Sequence, residues 1–206
     1  MANSSLQSSR RSFLKSACAA AAAAPYFVPA SVFGAAAPSN RITLGCIGVG
    51  NQGAGILQRF LDQADCQVIA VCDVNEASHG YRDAGQFLGR EPARKLVEEF
   101  YAKSKGAPSY SGCTAYSDFR ELLARDDVDA VTVVVPDHWH AYMTIEAAKA
   151  GKDIYCEKPL SLTIADGQAM VAAVREHGRI LQTGSHERSN PIVRRACELV
   201  RNGYIG

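Results

Sequence analysis

Leu44-Gly45-Cys46-Ile47-Gly48-Val49-Gly50-Asn51-Gln52-Gly53-Ala54-Gly55 sets a short apolar run directly against G-x-G-x-x-G, and a helical pattern opens immediately behind it. Run, turn and helix in that order decide the fold. Each glycine has a separate task. Gly48 permits the tight turn, Gly50 leaves out a side chain where a pyrophosphate must come close, and Gly53 lets the helix pack against the strand. The first amides of that helix, at Asn51 and Gln52, have no partner within it, so an anion would rest on them with the helix dipole in support.

Glycine-rich turns also arise for packing alone, so a second element is needed. Val68-Ile69-Ala70-Val71-Cys72-Asp73 is another apolar strand. It ends in an acid about 20 residues past Gly53, where a carboxylate can accept hydrogen bonds from a ribose diol. Such a carboxylate repels a 2′-phosphate, and Val74 and Asn75 follow it with no adjacent cation. The two elements together read as a Rossmann dinucleotide site that favours NAD over NADP.

Outward from this core, short β-branched runs alternate with longer helical patterns, the rhythm of a doubly wound α/β domain with a parallel sheet covered on both faces. The pattern predicts strands over 42–47, 67–72, 130–135, 153–156 and 179–183, with a brief one at 114–116. It predicts helices over 52–62, 92–103, 119–124, 139–150, 163–177 and 191–201. The stretch 77–112 is longer than one crossover helix requires and reads as a surface insertion around one or two helices, with a lid or an oligomer contact as alternatives.

The bulk numbers agree with one well-buried domain plus an extra segment: 206 residues, 47% of them hydrophobic and 21% charged. A formal net charge of +1 supplies no basic surface for nucleic acid, and none is expected as a partner. The 7 cysteines are scattered singly. Cys46, Cys72 and Cys156 read as small buried hydrophobes, and no metal site is expected.

Ser9-Arg10-Arg11-Ser12-Phe13-Leu14-Lys15 carries the twin arginine, aromatic, leucine and lysine that the twin-arginine export signal prefers. A weakly apolar alanine stretch, Pro25, Pro29 and small residues suited to cleavage follow. This segment is too short and too interrupted for a membrane span, so no stable membrane insertion is expected. Residues 1–37 are read as a signal peptide that engages the twin-arginine machinery, and the protein as periplasmic or otherwise exported. That route carries folded proteins, which implies a nucleotide loaded in the cytoplasm and held tightly.

The far end of the expected crevice is built by two further strand ends. Ala130-Val131-Thr132-Val133-Val134-Val135 is stopped by Pro136 and followed by Asp137-His138-Trp139-His140, and Ile154-Tyr155-Cys156 runs into Glu157-Lys158-Pro159. Ligands of open parallel sheets lie beyond such carboxyl ends, so these side chains would face the cofactor. A lysine placed there can exchange a proton with a substrate oxygen as hydride moves at the same carbon. His138 and His140 lack a third ligand and are poor metal candidates.

Gly48 to Gly55, Asp73, the Pro136-Asp137-x-x-His140 turn, Gly151-Lys152 and Glu157-Lys158-Pro159 together resemble the Gfo/Idh/MocA oxidoreductases, the glucose-fructose oxidoreductase and inositol dehydrogenase family, over nearly all of 41–206. The resemblance implies that Lys158 belongs to the catalytic set, that the Glu157-Lys158-Pro159 turn lies against the nicotinamide, and that Pro136 to His140 line the dinucleotide site. It implies a sugar, cyclitol or related hydroxyl or ketone as substrate. Family members continue into a further α/β substrate domain, so residues 38–185 are read as the NAD(P)-binding domain and 186–206 as a connector helix toward a C-terminal domain that is absent or truncated. His186, Glu187 and Arg188 are placed at that junction and not among the catalysts. An NAD-dependent redox-neutral glycosidase and a non-catalytic nucleotide-binding fragment are the other readings, and a homo-oligomer is left open.

Overall fold

The computed structural model describes residues 40–81 and 85–205. The twin-arginine segment lies outside the described residues. Among the described residues six strands form: β1 (Ile42–Ile47), β2 (Cys66–Cys72), β3 (Thr114–Tyr116), β4 (Ala130–Val133), β5 (Asp153–Glu157) and β6 (Leu181–Gly184). They make one sheet in the order β3-β2-β1-β4-β5-β6, parallel at every pairing. The order reverses between β1 and β4, and a crevice opens at that switch point beyond the strand ends. The helices are α1 (Asn51–Leu61), α2 (Arg90–Ser104), α3 (Phe119–Leu123), α4 (Asp137–Lys149), α5 (Ile164–Glu176) and α6 (Pro191–Arg201).

Both faces of the sheet are buried, which is why the central strands read as unbroken apolar runs. Leu44 and Cys46 of β1 join Val68 and Val71 of β2, Leu57 and Leu61 of α1 and Val97 and Tyr101 of α2 in one core. Ile47, Val131, Val133, Ile154 and Cys156 form the other with Leu122 of α3, Ala147 and Ala148 of α4 and Met170 of α5. Gly45 has no side chain because a Cβ there would stand 2.6 Å from Leu122. Cys46, Cys72 and Cys156 are buried as expected. Burial pushes the first two thiols up to about 12 and the third to about 11.

Two expectations are corrected. The stretch 77–112 is not all surface excursion, since α2 buries Ala93, Val97 and Tyr101 against the sheet. The Tyr101 hydroxyl also accepts the Val68 amide proton at 2.9 Å, satisfying a backbone group in β2. The fourth strand stops at Val133 instead of running to 135, and the next helix starts at Asp137 instead of 139. Pro136, with no N–H to satisfy, stands at the N-cap, and Asp137 places a negative charge in the first turn where the helix dipole favours it. Asp137 and His138 are therefore helical along with Trp139 and His140.

At the amino-terminal end of the strands, Lys152 is buried and its ammonium donates to the carbonyls of Arg125 (2.5 Å) and Val128 (2.8 Å). Those bonds tie the start of β5 to the carboxyl end of α3, so this lysine is structural. Helix α6 begins at an Asn190 cap with Pro191 in its first turn, and none of its side chains is buried.

Candidate functional site

The glycine turn takes the shape its residues require. Gly48 sits at φ +79°, and a Cβ there would stand 2.1 Å from the Val134 carbonyl oxygen. A Cβ on Gly53 would stand 1.9 Å from the Gly48 carbonyl oxygen, so the helix can approach the strand only as glycine. Gly50 is the N-cap of α1, without a capping side chain and without an acid in the first turn. By contrast, Asp118, Thr163 and Asn190 cap α3, α5 and α6 with side-chain oxygens. The first amides of α1 are thus left for an external acceptor, an opening that fits a dinucleotide's phosphates.

Asp73 stands at one end of the crevice, where a dinucleotide's ribose could reach it. Its Oδ2 accepts from the Val49 amide at 3.0 Å and its Oδ1 from the Asn75 amide at 3.0 Å. A carboxylate offers about four acceptor positions, so about two are left for a ribose diol. The surrounding cavity measures about 890 Å³ and runs from this acid past Gly48, Gly50, Asn51, Gln52 and Gly53 to Pro136, Glu157 and Lys158. That volume suits a ligand of dinucleotide size.

Nine of the ten residues singled out from the sequence line this cavity; His140 does not. It faces inward from α4, is buried, and its Nδ1 donates to the Pro159 carbonyl at 2.6 Å. His140 holds the Glu157-Lys158-Pro159 turn from behind. The reason for the miss is the early helix start, which turns position 140 toward the sheet and leaves Trp139 on the cavity wall.

At the other end, Glu157 is only 2% exposed. One carboxylate oxygen accepts the Lys158 amide at 2.7 Å and the other is bonded to His186 Nε2. Arg59 Nη1 lies 3.0 Å from His186 Nδ1. Arginine can only donate, so Nδ1 accepts and Nε2 carries the proton given to Glu157. His186, which follows β6, is packed onto the buried acid beside Lys158. The Lys158 side chain is exposed and contributes to the cavity wall.

Several lining residues had no sequence signal. Asp118, Phe119 and Arg120 arrive from the end of β3, and Tyr81 from the segment ahead of α2. Arg120 pairs with Asp118 at 2.9 Å and lies over the Phe119 ring at 5.0 Å. The Arg120 amide first, and its guanidinium as well, hold the Asp118 carboxyl below its ordinary range. The cavity therefore does contain a cation, one that adjacency to Asp73 in sequence could not disclose. Among the described residues, no three His, Cys, Asp or Glu side chains gather to hold a metal ion, and no helix is long and apolar enough to cross a membrane.

Comparison with known proteins places this crevice in a family. A levoglucosan dehydrogenase of Pseudarthrobacter phenanthrenivorans is 32% identical over 117 residues, 56% of this chain and 30% of that protein. A glycosyl hydrolase family 109 protein of Shewanella sp. strain ANA-3 is 34% identical over 173 residues, 76% of this chain and 35% of that protein. The fold is shared with KijD10, a 3-ketoreductase of Actinomadura kijaniata solved with NADP and TDP-benzene. That match has a TM-score of 0.62 at 24% identity and covers 81% of this chain and 44% of that one. The chain thus spans about a third of the length of these curated relatives. Residues 42–185 match the model of the Gfo/Idh/MocA group, described as an oxidoreductase family with an NAD-binding Rossmann fold, and the chain belongs to that family.

Proposed function

We propose that this domain is the nucleotide-holding part of an NAD(H)-dependent oxidoreductase acting on a hydroxyl or ketone of a sugar, cyclitol or related compound. One observation carries the reading. A single cavity joins an uncapped helix N-terminus, a partly free Asp73 carboxylate and the ammonium-bearing Lys158. Bound NAD(H) supplies the hydride chemistry. The protein's own groups bind its phosphates through the α1 amides, grip the ribose through Asp73, and hold Lys158 where it can exchange a proton with a substrate oxygen. Asp73 and the ionised Asp118 together disfavour a 2′-phosphate, which supports NAD over NADP, although Arg120 stands at the same end. Substrate orientation belongs to chain beyond this domain, with 186–206 as connector. Delivery through the twin-arginine route, with nucleotide already bound, accords with the residue pattern of 9–15.

The levoglucosan dehydrogenase relative supports a carbohydrate substrate. The glycosyl hydrolase relative matches over a larger share of this chain, and it keeps redox-neutral glycoside cleavage as the second reading. Nucleotide released by denaturing the purified protein, identified by mass, tests the first step. Assay of sugar and cyclitol alcohols for NADH formation, against aryl glycosides for aglycone release without net NADH, separates the two chemistries. Protein that neither carries nor takes up NAD(H) contradicts both.

A further inference from the structure

Gly50 is the position where the missing side chain should make room for phosphate, and the space beside it has an unexpected neighbour. A Cβ there would meet Tyr81, at 2.4 Å from Cε1 and 3.0 Å from the hydroxyl oxygen. The Tyr81 ring therefore flanks the glycine that opens α1, and it lines the same cavity as Asn51 and Gln52. Its placement is not left to chance. The Tyr81 hydroxyl oxygen accepts from Asn75 Nδ2 at 2.8 Å, and the same amide nitrogen reaches Ser78 Oγ at 2.9 Å. The Asn75 backbone is in turn bonded to Asp73 Oδ1 at 3.0 Å. Ser78 and Leu88 exchange two backbone hydrogen bonds, at 2.9 and 3.0 Å, which close the base of the segment that carries the tyrosine.

A phenol has one proton to give. With its oxygen accepting from Asn75, the Tyr81 hydroxyl has a donor proton that meets no acceptor among the described residues, beside the opening where the first amides of α1 also point without a capping side chain. We infer that Tyr81 is a dinucleotide ligand, giving its phenolic proton to a diphosphate oxygen over Gly50 while Asn75 fixes its orientation. This rests on the NAD(H) reading above and adds a ligand from the segment ahead of α2, outside the glycine turn. A hydrogen bond to a charged acceptor is among the stronger ones, so losing it costs about tenfold or more in affinity.

The test compares wild type with Tyr81→Phe, which keeps the ring and removes only the hydroxyl. NADH and ADP-ribose affinities are measured by titration, adenosine affinity by ligand-detected NMR, and the phosphorus resonances of bound NADH by ³¹P NMR. Thermal unfolding without nucleotide confirms that both proteins fold. The expected result is NADH and ADP-ribose binding weakened about tenfold, unchanged adenosine binding, and displaced phosphorus resonances. Equal NADH affinity and unmoved resonances in the variant overturn the Tyr81 assignment and leave the NAD(H) reading standing. Equal weakening of all three ligands assigns the tyrosine to packing and also overturns it. A wild-type protein that binds no NADH overturns the reading on which the inference rests.

Discussion

The Asp73 carboxylate accepts the Val49 amide proton at 3.0 Å, so the acid ending β2 is bonded directly to the glycine turn that follows β1. Residues 24 positions apart thereby share one geometry, and the glycine turn and the acid are fixed relative to each other before any ligand arrives. Such preorganisation lowers the entropy lost on binding.

Gly53→Ala tests whether the turn is as tight as it looks. The added methyl would stand 1.9 Å from the backbone oxygen of Gly48, which cannot swing aside as a flexible side chain would. Overpacking of this kind costs about 3 kcal/mol. The expected outcome is a clearly lowered unfolding midpoint in urea with nucleotide binding weakened as well. A variant as stable as wild type would show that helix and strand stand further apart.

Replacement of His186 by alanine removes one of the two hydrogen bonds satisfying the buried Glu157. Leaving a buried carboxylate short of a donor costs about 1–3 kcal/mol. His186→Gln, which can still donate, should recover part of that loss in chemical denaturation. If alanine and glutamine variants both match wild type, the histidine contributes nothing to the turn.

Alkaline stability follows from the buried thiols. Unfolded cysteines ionise near 9, whereas Cys46 and Cys72 resist until about 12 because burial penalises the thiolate. The folded state therefore keeps protons that the unfolded state gives up. The contribution is intact below pH 9 and is lost as pH rises toward 12, at about 1.4 kcal/mol per pH unit for each thiol. Unfolding midpoints between pH 9 and 11 should fall less steeply in Cys46→Ala than in wild type. Parallel curves would mean that this thiol ionises in the folded protein as easily as in the unfolded one.

For export, replacing Arg10 and Arg11 together by lysine should leave the precursor in the cytoplasm of a host that has the twin-arginine pathway, read by fractionation and immunoblot. Unchanged appearance of the mature form outside the cytoplasm would remove that part of the account.

Strands and helices were largely legible because their signals are local. Apolar runs such as Val68 to Cys72, stopped by an acid or a proline, mark parallel strands within a residue or two. The glycine turn was legible because Gly48 and Gly53 each answer to a backbone oxygen that leaves no room for a side chain. His140 was misplaced because the helix begins two residues before 139 and carries that side chain inward, a start that Pro136 and Asp137 favour but that reads in sequence as a turn. Tyr81, Asp118, Phe119 and Arg120 could not be placed at the cavity. They reach the cavity through the pairing of β2 with β3 and the course of the segment ahead of α2, which are tertiary relations. The bond from His186 to Glu157 is of the same kind, since β5 and β6 must pair before the two can meet.

The central claim is that the crevice between Gly50 and Asp73 grips NAD(H). Calorimetric titration of the nucleotide-free protein with NADH and NADPH, alongside Asp73→Ala, tests it most directly. The account predicts saturable one-to-one binding of NADH, NADPH weaker by about tenfold, and loss of that preference in the variant, in keeping with a carboxylate that favours a ribose diol over a 2′-phosphate. Absence of saturable binding of either nucleotide, or a preference untouched by the loss of Asp73, would contradict it.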